Sequence, residues 1–474
     1  MADRLSALDV SFLYLEERTT PMHVGSVAVF AEPDTGFDHD RLVQLIKHRI
    51  AFVPRYRQRI RWVPAKVANP VWVDDEHFDV TYHVRRSALP RPGTDEQLKD
   101  LVARIMSRHL DRNRPLWEMY LVEGLSDHRF AIITKTHHAM VDGLSAVDIG
   151  QVILDVTPNP RDTIADVWRP AREPTGLELW AGGVADWMRS PADVAVNMRT
   201  GLQDAHDSMK RLGRSVGGVV SAVSTVVRPP ATSPLNAEIG EQRRFETAAT
   251  SLADHRRIRQ AHGGTVNDVV LAVVCGALRE WLQMRGESLN ARSQVRVMVP
   301  VSVRETESAS SGAGNEIAAF LVDLPVGEPD PVVRLQRITF EMGQYKASNQ
   351  MMGAQAIIGI AGFSPPTIHA LGARAVSGLS QRVWNTTVTN VPGPQFPLYA
   401  GGCEMLAAYP VVPLARNQAV TIGLTSYNGG VFYGLLGDRE AMADLDVLAG
   451  CLVSSLAELL DTTTPSGRRR TVRP

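Results

Sequence analysis

Cysteine is scarce: only Cys275, Cys403 and Cys451 occur in 474 residues, widely spaced and mostly inside apolar segments. That argues against a disulfide framework and a cysteine-based zinc site, and it suits a chain in a reducing cytosol. No run approaches the roughly 20 apolar residues needed to span a bilayer, because charge, Gly or Pro breaks the most apolar segments. Work on lipids would therefore be done from the membrane surface. A one-sided charge is also missing, with 51 acidic against 50 basic side chains. No global field recruits nucleic acid, so a charged ligand must be met locally. Met1 to Val10 lacks the basic start and apolar core of a signal peptide and is expected to stay on the chain. Gly263-Gly264 and Gly401-Gly402 are too short and wrongly flanked for a dinucleotide or phosphate loop. No Gly-x-Ser-x-Gly elbow offers a serine nucleophile.

The length favours two domains with substantial cores. Met22 to Phe30 is short, β-branched and bounded by Pro21 and Pro33, which predicts a buried strand. Helical spacing of apolar residues predicts helices over Asp38 to Ile50 and Asp95 to Leu110. Trp117 to Val122 and Phe130 to Lys135 are expected strands. From about Ile164 to Pro234 strand-like runs are scarce and Gly, Ala, Ser and Val dominate, which predicts a helical linker. Within it, Val184 to Leu212 mixes Trp and Met with Arg and Lys, the pattern of either a surface-seeking amphipathic helix or an inter-domain helix packed on protein. A second α/β unit follows. Its expected strands are Arg244 to Leu252, Val295 to Val303, Asn315 to Val326, Thr386 to Val391 and Ala419 to Tyr427. Its expected helices are Asn267 to Leu282 and Arg439 to Leu460, with an ordinary buried helix as the simpler reading of Met351 to Ile360. The division is therefore 1–165, a linker 166–236, 237–460 and a disordered basic tail 461–474.

The sharpest chemical signal is His137-His138-Ala139-Met140-Val141-Asp142-Gly143. Adjacent histidines at the end of a strand point to opposite sides, so one can face a cleft while the other braces the loop. An imidazole can take a proton from a hydroxyl at neutral pH, and Gly143 permits a tight turn just after. Vicinal histidines on an extended segment diverge, which disfavours a metal site. Asn267 carries two readings. It can cap the helix that follows, or its amide can donate to a developing oxyanion. Pro115-Leu116-Trp117 reads as a rigid entry into a strand with Trp117 buried, and Asn390-Val391-Pro392-Gly393-Pro394 as a turn.

The histidine segment resembles the active-site motif of the CoA-dependent acyltransferases related to chloramphenicol acetyltransferase and to peptide-synthetase condensation domains. Other segments narrow the resemblance. Leu5-Ser6-Ala7-Leu8-Asp9, Pro21-Met22-His23-Val24-Gly25, Pro115-Leu116-Trp117, Asn267-Asp268 and Asn390-Val391-Pro392-Gly393-Pro394 together resemble bacterial wax ester synthase/diacylglycerol acyltransferases over nearly the whole chain. The resemblance implies an α/β fold of two chloramphenicol acetyltransferase-like domains packed around a central substrate tunnel. It implies catalytic roles for His138 as general base, His137 as a positioning residue and Asn267 as an amide donor. Asp142, Gly143 and Arg304 become structural residues at the site, with Asp142 in an ion pair to Arg304. The implied partners are long-chain acyl-CoA and diacylglycerol or a fatty alcohol, giving triacylglycerol or wax ester, with no metal and no other cofactor. A cytoplasmic enzyme peripherally bound to membrane or lipid droplets is the expected setting. The same histidine motif would also serve a condensation-type ester or amide synthase fed by a carrier protein, or survive in a non-catalytic lipid-binding relative.

Overall fold

The computed structural model describes residues 3–34, 36–141, 149–159, 168–189, 233–302, 317–347, 352–353 and 384–464. Two seven-stranded mixed sheets form the frame. The first runs, in spatial order, Val84–Ala88, Trp117–Leu125, Arg129–His137, His23–Ala31, Cys403–Val411, Tyr399–Ala400 and Leu154–Asp155. The second runs Met352–Gly353, Ile317–Leu324, Val295–Ser302, Thr386–Pro392, Val420–Tyr427, Gly430–Asp438 and Arg243–Ser251. A small sheet of Asp3–Arg4, Val71–Asp74 and Gln58–Arg61 lies beside the first. The α/β architecture expected from the sequence is what forms.

The helices follow their caps and apolar stripes. Helix Asp95–Met106 opens on a Thr94/Gln97 capping box and buries Leu98, Val102, Ile105 and Met106 against Val27, Val29 and Ile133 of the first sheet. It ends earlier than its periodicity predicts. Its terminal carbonyls are taken by Lys135, whose buried Nζ donates to Ile105 O at 2.9 Å and to Arg108 O. A cation at a helix C-terminus suits the local dipole, although burial still pushes the Lys135 ammonium pKa down to about 8. In the second domain, helix Val266–Met284 is buried from Asp268 to Leu278 and packs on helices Leu445–Asp461 and Pro331–Ala347.

The linear division of the chain does not match the division of the sheets. The strand Cys403–Val411, from deep in the second half, pairs antiparallel with His23–Ala31 and so completes the first sheet. Its Pro410 argues against a strand when read locally. Beyond Glu404, however, the short strand Tyr399–Ala400 ends, and the exchanged strand has a ladder partner on one side only. Glycine in the second sheet makes room for it. Gly423 and Gly434 sit opposite each other in register, and a Cβ on Gly434 would come within 2.0 Å of Pro410 O. Backbone thus meets side-chain-free sheet, and the two domains interlock.

Several sequence readings need correction. The helix expected from Arg439 begins at Leu445, after turns that start at Arg439. Residues 352–353, expected inside a helix, pair as a short strand with Ala318 and Ala319. The amphipathic segment proposed from Val184 belongs to a helix that starts at Gly176 and is described as far as Arg189. The rest of that segment and the tail from 465 lie outside the described residues.

Candidate active site

The strand Arg129–His137 delivers the histidine pair. Its alternation sends Ala131, Ile133, Lys135 and His137 toward the helix layer, and Ile132 and Thr134 toward the cleft between the sheets. His137 is still extended (φ −66°, ψ 138°) and His138 opens a 3-10 turn, so His138 continues the cleft-facing row. Both backbones are pinned: His137 N–H donates to Leu116 O at 2.9 Å and His138 N–H to Met22 O at 2.8 Å. This gives physical content to two of the motifs. Pro-Leu-Trp supplies the Leu116 carbonyl, with Trp117 fully buried, its Nε1 donating to Tyr56 O at 2.8 Å. Pro-Met-His-Val-Gly supplies the Met22 carbonyl and places His23 opposite His137 in the sheet register.

The N-terminal helix Ala7–Leu15 closes the site from outside. Ser6 and Asp9 form a reciprocal capping box, Asp9 N–H donating to Ser6 Oγ at 3.1 Å and Ser6 N–H donating to Asp9 Oδ2 at 3.3 Å. The helix start is thereby set, and Phe12 stacks on the His138 ring with centroids 3.9 Å apart and planes at 19°. Glu16, just past the helix end, becomes a hub. It accepts from Arg112 Nε at 3.0 Å and contacts His109 Nδ1 at 3.2 Å. His23 Nε2 lies 3.2 Å away and His137 Nε2 3.6 Å away. Burial opposes ionisation of this carboxyl, but the imidazoles of His137 and His23 and the Arg112 guanidinium outweigh it and hold the pKa far below the usual carboxylate range.

The two histidines are therefore differentiated. His137 Nδ1 accepts Ala139 N–H at 3.0 Å, which places the ring proton on Nε2, facing Glu16. His137 braces the turn. His138 is desolvated by its surroundings, and this burial, with the neighbouring His137 acting in the same direction, lowers its pKa to about 4. Its Nδ1 is sealed from solvent and has no hydrogen-bond partner among the described residues. His23 is likewise pushed down by burial, to about 3. Both rings are neutral at pH 7. Among the described residues no group of three His, Cys, Asp or Glu side chains is arranged to hold a metal ion.

Asn267 is not the helix cap. Thr265 holds that position, its Oγ1 accepting Asp268 N–H at 3.2 Å while Asp268 Oδ2 accepts Thr265 N–H at 2.8 Å. Asn267 sits in the first turn, where its Oδ1 accepts from Asn390 Nδ2 at 3.0 Å. Two motif asparagines thus meet, and the remaining donor of Asn267 is its own Nδ2. The Asn-Val-Pro-Gly-Pro segment is the end of a strand rather than a turn, Asn390 to Pro392 pairing in parallel with Leu424 to Ser426. Gly393 is required by proximity: a Cβ there would come within 2.5 Å of Ser426 O. Asp142, Gly143 and Arg304 lie outside the described residues.

Glu16, Phe12 and His23 were not among the sequence candidates for the site. The signal for Glu16 was faint, a carboxylate directly after an apolar nine-residue helix. His23 lies in the Pro-Met-His-Val-Gly segment, whose β-branched pattern reads as strand.

Two interlocked mixed sheets, with a neutral imidazole at the cleft-facing end of a central strand, define the class: a two-domain acyltransferase of the chloramphenicol acetyltransferase-like fold. The same fold appears in the first condensation domain of the CDA synthetase, with a TM-score of 0.57, 15% identity, and 98% of this chain and 97% of that one covered. Wax ester synthase/diacylglycerol acyltransferase from Marinobacter aquaeolei VT8 gives a TM-score of 0.68 at 28% identity, over 97% of this chain and 99% of that one. "Probable diacyglycerol O-acyltransferase tgs1" of Mycobacterium tuberculosis is 33% identical, over 99% of this chain and 98% of its own. "Probable diacyglycerol O-acyltransferase tgs3" of the same species is 43% identical over 55% of this chain and 96% of its own. Residues 5–270 match the wax ester synthase/diacylglycerol acyltransferase catalytic domain, and residues 313–460 the WS/DGAT C-terminal domain. The chain belongs to the wax ester synthase/diacylglycerol acyltransferase family.

Proposed function

We propose that the protein transfers the acyl group of a long-chain acyl-CoA to the hydroxyl of diacylglycerol, and also to fatty alcohols, with His138 as the general base. The observation that carries this reading is the differentiated histidine pair. One ring is fixed as a brace by Ala139 and Glu16, and the other is neutral, stacked on Phe12 and turned toward the cleft. His138 removes the hydroxyl proton as the oxygen attacks the thioester carbonyl. The tetrahedral oxyanion is met by the Asn267 amide, a role supported by the first-turn position that Asn390 helps to fix. Collapse breaks the carbon–sulfur bond, and the departing CoA thiolate takes the proton back from the imidazolium. No other cofactor enters the scheme. The family resemblance supports a structural ion pair between Asp142 and Arg304, with Gly143 allowing the chain to bend.

Reversible attachment to a membrane or lipid-droplet surface belongs to the same proposal. No single described helix is long and apolar enough to cross a bilayer. Helix Gly176–Arg189 buries Leu179 against Val63, Val71 and Val73, while Leu177 and Trp180 stand 79% and 47% exposed. That is the division expected of a helix resting on protein with apolar side chains left for a lipid interface. The deciding experiment is an assay of purified protein with labelled long-chain acyl-CoA against diacylglycerol, a fatty alcohol and an amine. Ester from the first two and none from the amine supports the reading; amide alone overturns it.

A further inference from the structure

A cavity of about 550 Å³ lies between the face of the first sheet and the 391–394 segment of the second. Its wall is a patch of three adjacent central strands. Ser26 and Ala28 face it from His23–Ala31, Ile132 and Thr134 from Arg129–His137, and Ala408 from Cys403–Val411. Ser26 is opposite Thr134, and Ala28 is opposite both Ile132 and Ala408. The faces of central strands are ordinarily covered by packed side chains. Here Ser26, Ala28 and Ala408 keep partial exposure, although Ser26 and Ala28 lie on a strand flanked on both sides along most of its length. Two facing alanines leave room that a branched residue would have filled.

The chemistry of the wall selects its occupant. Among the described lining residues no side chain is charged. Most polar side chains of the wall are already bonded: Ser26 Oγ and Thr134 Oγ1 are 3.0 Å apart, Ser26 N–H donates to the same Thr134 oxygen at 3.1 Å, Thr425 Oγ1 donates to Val391 O at 2.7 Å and Tyr427 OH to Met405 O at 2.9 Å, while Gln151 stands exposed at the rim. Water would find few partners in such a space, and an empty void of this size is costly. The cavity is also in line with the catalytic row. Thr134 and His138 are four residues apart on one face, about 13 Å at strand rise. A chain whose reacting head sits at His138 can therefore run into it.

We propose that this cavity binds the unbranched alkyl chain of a substrate, and that the Ala28–Ala408 pair limits the chain length it accepts. The placement of the reacting head rests on the acyl-transfer reading; the preference for hydrocarbon rests on the wall alone. The chain can come from either side of the reaction, from the thioester or from the acceptor.

The test uses the full-length protein with Ala28→Phe and Ala408→Phe, each checked for an unchanged circular dichroism spectrum and a cooperative melt. If either fails to fold, Ala28→Val or Ala408→Val replaces it. Saturated acyl-CoAs of increasing length are assayed against one alcohol, then alcohols of increasing length against one acyl-CoA. A ring that displaces about four methylenes should lower the ratio of long-chain to short-chain kcat/KM by on the order of 100-fold. A shift in the first series assigns the cavity to the acyl chain, a shift in the second to the acceptor. An unchanged ratio in both series, with folded variants, overturns the proposal. Binding of a pyrene-labelled long-chain alcohol, measured without turnover, separates this from the catalytic reading. If the unaltered protein binds the probe but transfers no acyl group, and the variants lose binding, the cavity assignment stands and the catalytic one falls. Equal binding, by the unaltered protein and the variants, of both this probe and a pyrene-labelled long-chain acyl-CoA overturns the cavity assignment.

Discussion

Replacing Glu16 by Gln keeps the shape of the hub and removes its charge. The carboxylate side chain is 4% exposed, whereas that of Arg112 is 44% exposed. The guanidinium can therefore return to water, and the full penalty of a stranded buried cation does not arise. What is lost is the charge-assisted bonding to Arg112 and His109, on the order of 2 kcal/mol. If the first domain unfolds as a unit, that corresponds to a Tm lower by about 4–8 °C. The effect on activity travels through His137. With no carboxylate facing Nε2, the ring is free to move its proton to Nδ1, where it would confront the Ala139 N–H that Nδ1 now accepts at 3.0 Å. Losing that bond loosens the turn carrying His138, and a change of about 1.4 kcal/mol in the barrier is a tenfold fall in kcat. KM should hardly move, since the hub does not face the cleft. Steady-state kinetics and differential scanning calorimetry on Glu16→Gln and His137→Gln, singly and together, measure both effects. The double variant should lose little more kcat than the worse single one. If Glu16→Gln leaves kcat and Tm unchanged, or if the two losses multiply, Glu16 does not act through His137.

His138→Ala should lower acyl transfer by roughly 100- to 10,000-fold with an unchanged melt, and His137→Ala should do less harm; near-normal turnover by His138→Ala removes it as the base. Because the His138 pKa is lowered to about 4, the acid limb of kcat/KM should fall near pH 4, with a flat profile from pH 6 to 8; a limb near 6.5 contradicts the desolvated site. The same shift has a stability consequence. His138 and His23 have folded pKa values below the unfolded 6.5, so the unfolded chain binds more protons, and stability should fall as pH drops below 6.5. The slope approaches about 1.4 kcal/mol per pH unit for each histidine until its folded pKa is reached. The depressed pKa of Glu16 adds a further loss as pH falls through the ordinary carboxylate range, and a Tm that stays constant from pH 7 to 4.5 contradicts this account. If Asp142 and Arg304 form a buried ion pair, Asp142→Asn and Arg304→Gln should each cost roughly 3 to 5 kcal/mol and lower activity, with the double variant losing less than the sum. Loss of activity at an unchanged Tm, without coupling, returns Asp142 to a catalytic role. Co-flotation with anionic liposomes should be strong at low salt and weaker at high salt, and its absence in both ends the membrane proposal.

What the sequence determined by itself was local. Periodicity and caps report backbone conformation within a few residues, so the strands that carry His23 and His137 and the helix after Thr265 were legible to within a residue or two. The divergence of His137 and His138 followed from strand alternation alone. Caps were less secure: Thr265 and Asn267 are both competent capping residues, and which one caps depends on where the chain enters the helix. The tertiary structure decided everything that depends on which distant segments meet. Cys403–Val411 joins His23–Ala31 because Gly423 and Gly434 leave a side-chain-free surface for Pro410, and no local pattern encodes a partner some 380 positions away. Glu16 became a hub because a capped helix brings it to His23, Arg112 and His137. The cavity exists because Ala28 and Ala408, unremarkable in their own segments, face each other across strands from opposite ends of the chain. Residue type is written in sequence, but burial, pKa and empty space are properties of neighbours, and neighbours are chosen by packing.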